Sequence, residues 1–223
     1  MRGPGLSRRR LLLAALATGL TGCGENPLGS TVVEAFRLTV SGHPGVPIER
    51  ANIAKIPYAS MAAKIGRGPR SILILWQTAN GEDLWLSADR AALVLRGGRI
   101  IRTAGLPENM RGTEIYGRDP LVVGLHDPAN RLPHTRTIDF EATNRVTVAL
   151  DSRFETIGPE IITIADIDFD TIAVREVCRA RTENWLFSNL YWVDPADGFV
   201  WKSVQHIARS FPPIETEILK PPG

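Results

Sequence analysis

Apolar positions recur along much of this chain in short runs, many alternating with polar ones and bounded by turn formers, as β-strands do. The clearest stretch is 71–103. Residues 71–77 (SILILWQ) are apolar on both alternating sets, which predicts a strand covered on both faces. Asn80-Gly81 follows, a pair that accepts the positive φ needed at both centres of a two-residue hairpin turn, so 83–87 (DLWLS) is predicted to return alongside. A third run, 91–96, meets Gly97-Gly98 and turns into 99–103 (RIIRT), completing a four-stranded meander. Further strands are predicted at 145–150, 160–164, 172–177, 190–193 and 199–204. Between the last two, Asp194-Pro195-Ala196-Asp197-Gly198 offers side-chain acceptors, a fixed φ and a residue free to take positive φ.

Elsewhere the pattern changes. Apolar residues at 32, 33, 36 and 40 have helical spacing and predict one opening helix over 31–40, against the preference of its β-branched residues; Pro44 and Pro47 end it. From 106 to 144 periodicity fails among Pro107, Pro120, Pro128 and Pro133. So long a segment is expected to hold a short strand while packing along the surface, or to cover one end of the sheet. Pro212-Pro213 and Lys220-Pro221-Pro222 are expected to be extended and exposed. The whole reads as mainly β: a single domain of about ten antiparallel strands curled into a barrel or sandwich-like sheet that hides its edges, with one or two short helices.

The N-terminus changes the picture of where the protein works. Arg8, Arg9 and Arg10 precede the apolar run 11–20, too short to cross a bilayer core of about 30 Å, and small residues follow: a secretory signal. The run ends in Leu20-Thr21-Gly22-Cys23, which resembles the bacterial lipobox, whose Cys carries diacylglycerol and becomes the first residue of the mature chain. The expected organisation is a signal at 1–22, a lipidated tether at 23–30 and the β domain at 31–223. Ser7-Arg8-Arg9 also resembles the start of a twin-arginine export signal. The formal charge of +2 belongs to the precursor; loss of the four arginines in 1–22 leaves 22 basic against 24 acidic residues, and the basic stripe a nucleic-acid partner needs is missing. With Cys23 lipidated, Cys178 has no intramolecular partner and is expected to be a buried, inert thiol.

The segments Pro57-Tyr58-Ala59-Ser60, Gly98-Arg99-Ile100-Ile101-Arg102-Thr103, the isolated Asp119-Pro120, Asn189-Leu190-Tyr191-Trp192-Val193-Asp194 and Gly198-Phe199-Val200-Trp201-Lys202-Ser203-Val204-Gln205, in this order, resemble the YjbF/GfcB family of capsule and exopolysaccharide lipoproteins. The resemblance implies a non-catalytic protein, lipid-anchored on the outer membrane and facing the periplasm, that assists capsule or exopolysaccharide export or assembly. Its implied partners are the membrane, other export proteins and, as a further candidate, the polysaccharide; its only attached group is the lipid on Cys23. Gly24 stands where the enterobacterial inner-membrane retention signal would have Asp.

Read for their own chemistry, the residues point the same way. Asp166, Asp168 and Asp170 begin like a calcium loop, but Thr171 and Val177 replace its glycine and final glutamate. His43, His126, His134 and His206 lack metal-site spacing, and no nucleophile elbow or phosphate loop is present, so neither metal nor cofactor is expected. Trp185, Tyr191, Trp192 and Trp201 fall within seventeen residues and, with Lys202 and Gln205, are the candidates for contact with polysaccharide or a partner, since aromatic faces stack on flat apolar surfaces. Tyr191 and Trp192 are neighbours on a strand and point to opposite faces, so one belongs to the core. Two other functions stay open: a lipid or lipoprotein carrier with an apolar cavity, and a polysaccharide-modifying enzyme with paired carboxylates in a cleft.

Overall fold

The computed structural model describes residues 48–140 and 147–223. The signal, Cys23, the tether, the predicted helix at 31–40 and the first residues of the predicted strand at 145–150 lie outside them.

The described residues build one sheet of twelve strands: β1 (Ser60–Ile65), β2 (Arg70–Ala79), β3 (Glu82–Ser87), β4 (Ala92–Arg96), β5 (Arg99–Ala104), β6 (Met110–Tyr116), β7 (His134–Phe140), β8 (Val148–Ile164), β9 (Ile167–Ala180), β10 (Leu186–Val193), β11 (Val200–Gln205) and β12 (Ile214–Lys220). Helices are short: α1 (Arg50–Ile53) and α2 (Pro120–Val123), with a 3-10 turn at Pro128–Asn130. The spatial order is β5-β4-β3-β2-β1-β12-β11-β10-β9-β8-β7-β6, every pair antiparallel. The two edges, β5 and β6, are consecutive in the chain, and the Met110 amide donates to Thr103 Oγ1 at 2.8 Å between them. The sheet thus curls into a nearly closed barrel, which removes most of its exposed edge.

The predicted turns form for the reasons given. Asn80 and Gly81 have φ of 54° and 74°, Gly97 and Gly98 of 55° and 84°, the signature of hairpin turns matched to strand twist. In the 194–198 turn, Asp194 accepts from the Ala196 amide at 2.9 Å and Asp197 from the Phe199 amide at 2.8 Å. The strands predicted at 145–150 and 160–164 belong to one 17-residue strand, β8, which pairs with the 14-residue β9 through a turn at Ala165-Asp166. That hairpin outgrows its neighbours and bends over the barrel: Ala165 packs on the Ile53, Ile56 and Ile74 cluster, and Phe169 lies 4.2 Å from Trp201 of β11.

Four strands escape the periodicity. β1 is blurred by Ala62 and Ala63, while β6 and β7 lie in the segment read as irregular. The largest omission is C-terminal: Pro212, Lys220 and Pro221 are exposed as expected, but Ile214–Lys220 between the proline pairs forms a strand that the pattern did not announce, an interior member of the sheet between β1 and β11. Its Glu215 and Glu217 face Lys64, Arg70 and Lys202, so the strand reads as polar in sequence because its partners are charged.

Two apolar clusters fill the barrel. The larger contains Met61, Trp85, Met110, Leu150, Trp185 and Ile214; the smaller contains Leu121, Leu125, Val174, Tyr191, Val193 and Val200. Leu121 and Leu125 come from the 119–131 segment, which therefore covers one end of the barrel as well as separating two strands. Gly98 makes that end compact: a Cβ there would sit 2.5 Å from the Val200 side chain, at a φ of 84°. Gly98→Ala is expected to destabilise the fold by about 2–4 kcal/mol through left-handed strain and overpacking, measured as a lower urea midpoint.

Candidate functional site

Between the two apolar clusters lies a layer of buried polar side chains centred on Arg99 at the start of β5, which is 1% exposed. The Gly97-Gly98 turn delivers the guanidinium inward. Its Nε and Nη2 donate to the two carboxylate oxygens of Asp119, both at 3.1 Å, a paired-fork geometry. Its Nη1 donates to both oxygens of Glu176 on β9, at 2.9 and 3.1 Å. Asp119 is also the N-cap of α2, accepting from the Leu121 amide at 3.0 Å, so one side chain starts the covering helix and ties it to the barrel.

Glu176 is fully buried and is the hub. It accepts from Asn189 Nδ2 at 2.9 Å and the Tyr191 hydroxyl at 3.0 Å, both on β10. On the other side, His134 Nε2 stands 3.4 Å away and Arg136 Nε 3.8 Å away. Arg136 reaches on to the Cys178 sulfur at 3.8 Å, and Ser152 donates to the same sulfur at 3.4 Å. Gln205 closes the layer from β11, donating to the Gly98 carbonyl and accepting from the Ile100 amide at 3.0 Å. Two arginines balance two carboxylates.

The electrostatics follow from that balance. Burial alone would push the Glu176 carboxyl up, but Arg99 and then Arg136 hold it well below the usual carboxylate range. Burial would likewise weaken the Arg99 charge, and Glu176, Tyr191 and Asp119 together keep its pKa above the ordinary value. Burial and the Glu176 charge raise both the Tyr191 phenol and the Cys178 thiol. Near neutral pH the layer therefore holds an ionised Glu176, a cationic Arg99, a neutral phenol and a protonated thiol. These states suit an internal brace; a general acid or base would be tuned toward the working pH.

The sequence-predicted site residues do not gather into one surface. Tyr191 is fully buried and belongs to the ion cluster, Gln205 is 3% exposed beside it, and Trp185 is 7% exposed in the apolar core, 4.1 Å from the Phe187 ring. Tyr191 and Gln205 face the interior because alternation along β10 and β11 puts them there, and Trp185, immediately before β10, continues the inward set of that strand. Trp192 is half-buried, with the Lys202 ammonium 5.5 Å from its ring centre. Trp201 is half-buried between Phe169 and Phe199 and donates to Asp194 at 3.1 Å, and Lys202 is held by Glu217 at 2.8 Å. The aromatic run is thus mostly engaged within the molecule.

What sequence reasoning missed as a unit is the ion cluster, though its parts were in view. Arg99, Asp119, Asn189, Tyr191 and Gln205 come from four of the segments that carried the family resemblance, and folding joins them, directly or through Arg99 and Tyr191, to Glu176. Among the described residues no helix is long and apolar enough to cross a membrane, and no cluster of His, Cys, Asp and Glu could hold a metal ion.

A small, nearly closed antiparallel barrel braced by an internal ion cluster is the class of protein this chain presents. The family model for the group 4 capsule polysaccharide lipoproteins GfcB and YjbF matches residues 33–219, and the chain belongs to that YjbF family. The curated protein Uncharacterized lipoprotein GfcB of Escherichia coli (strain K12) is 30% identical over 217 residues, covering 96% of this chain and 99% of that protein. Uncharacterized lipoprotein YjbF of the same strain is 24% identical over 218 residues, covering 96% and 98%. The crystal structure of the hypothetical lipoprotein YmcC from Escherichia coli (K12) superposes with a TM-score of 0.71 at 26% identity, covering 86% of this chain and 96% of that one. All three relatives are named as lipoproteins, and the capsule term comes from the description of the family.

Proposed function

We propose that this protein is a non-catalytic lipoprotein, anchored through Cys23 to the outer membrane and facing the periplasm, that assists export or assembly of a capsule or exopolysaccharide. The observation that carries this reading is membership of a capsule lipoprotein family over nearly the whole mature chain. The lipobox-like sequence ending at Cys23 supplies the anchor, with Gly24 after it. The ion cluster supports a non-catalytic role, because its charges are paired, shielded from water and fixed in single ionisation states. The carrier alternative receives less support: Met61, Trp85, Met110, Tyr191 and the ion cluster occupy the volume an acyl chain would need inside the barrel.

Deleting the gene is expected to remove most extracellular polymer under conditions in which the parent strain makes it, and the wild-type gene in trans is expected to restore it. Total and cell-bound polysaccharide measured in the three strains checks this. Undiminished polymer in the deletion strain would refute the reading.

A further inference from the structure

The outward side of the β2–β5 meander carries a row of side chains paired across its four strands. Gln77 lies opposite Leu84, Leu84 opposite Val94, and Val94 opposite Arg102. This row forms the floor of a groove of about 490 Å³ that Arg111 of β6 borders. That volume falls in the range of small-molecule and cofactor sites, about 300–1,000 Å³. Leu84 and Val94 make the middle of the floor apolar, and polar groups stand at its margins.

The charge of the groove is unbalanced. Glu82 is shared between Arg96 and Arg102, the latter at 2.7 Å, and Arg111 is exposed with no hydrogen-bond or ion-pair partner among the described residues. In the lining itself two guanidinium groups, Arg102 and Arg111, stand against one carboxylate, Glu82, which Arg96 also holds from outside the groove. Arg102 keeps half its side-chain surface in solvent, at 52%, so part of its fork stays open to a ligand. A guanidinium matches a planar carboxylate with two parallel donors, and an apolar floor suits the C–H face of a sugar ring.

We propose that this groove binds a segment of an acidic polysaccharide, with Arg102 and Arg111 receiving a sugar carboxylate, Gln77 meeting a hydroxyl, and Leu84 and Val94 lying under the ring. The proposal rests on the polysaccharide reading above and names the chemical class of the polymer. It places the contact on the meander, away from the Trp192 and Trp201 region.

Titration of the lipidated protein, in a non-ionic detergent, with oligogalacturonate tests it by calorimetry. Saturable binding is expected, with neutral maltooligosaccharide failing to compete. Arg111→Glu is expected to weaken binding at least about tenfold, the worth of one lost charge-assisted contact plus repulsion. Arg67→Glu makes the same charge change on the exposed β1–β2 turn, outside the groove, and is expected to leave binding unchanged. Equal binding by Arg111→Glu, or equal loss in Arg67→Glu, would overturn the groove assignment. So would Arg111-dependent capture of phosphatidylglycerol vesicles without oligogalacturonate binding. If no acidic oligosaccharide binds while gene deletion still abolishes polymer, the groove proposal fails and the export reading survives; undiminished polymer after deletion removes the export reading itself.

Discussion

Glu176→Gln is expected to lower folding stability at neutral pH by about 3–5 kcal/mol, because it leaves the buried Arg99 and Arg136 guanidinium groups without their shared counter-charge. The change is nearly isosteric, so the loss is electrostatic and not a cavity effect. An exposed pair gives the scale for comparison. Glu155, 40% exposed and facing Arg153 and Arg175, is expected to tolerate Glu155→Gln within about 0.5 kcal/mol, since solvent screens such pairs. The pH dependence has a definite sign. The folded-state pKa of Glu176 is lowered, so its stabilising contribution is complete above the unfolded-state value of about 4.3 and is lost as pH falls from there toward the folded value. Glu176→Gln should flatten that acid limb while lowering the plateau. Urea midpoints across the acid-to-neutral range measure both effects, and a plateau equal to that of the wild type would show that the cluster does not brace the barrel.

Cys23→Ser is expected to abolish lipid labelling and move the protein from the membrane to the soluble fraction. One acyl chain gives only marginal membrane binding, at about 0.8 kcal/mol per buried CH₂, whereas a diacylglyceryl group with a further acyl chain holds firmly. The apolar run 11–20 is too short to span a bilayer, no later segment is predicted from the sequence to span one, and among the described residues no helix is long and apolar enough to do so, so the attachment is expected to rest on the lipid. Radiolabelled palmitate with fractionation reads the outcome. Retention of label or of membrane association in Cys23→Ser would contradict the anchor.

The features legible in the sequence are those set by local chemistry. Asn80-Gly81 and Gly97-Gly98 impose backbone angles that neighbours cannot override, and the meander they punctuate forms as predicted, as does the 194–198 turn between β10 and β11. Interior strands with charged outward partners were harder. Ile214–Lys220 carries Glu215 and Glu217, whose partners lie more than 140 residues away on β1 and β2 or nearer on β11, and no local pattern announces that pairing. The same limit hid the ion cluster. Arg99 and Glu176 are separated by 77 residues, and each alone reads as an ordinary charged strand residue. The two-face argument for Tyr191 and Trp192 did hold, because it depends only on strand alternation: Tyr191 is fully buried and Trp192 half-buried.

The role proposed for this protein is to help deliver a finished polysaccharide, not to make or alter it. The most direct measurement is the location and chemical composition of the polymer in the deletion strain. Polymer of unchanged sugar and acyl composition is expected to be lost from the cell exterior and retained inside the envelope. Polymer at its normal surface level with an altered composition would instead show a modifying activity and contradict a role in delivery.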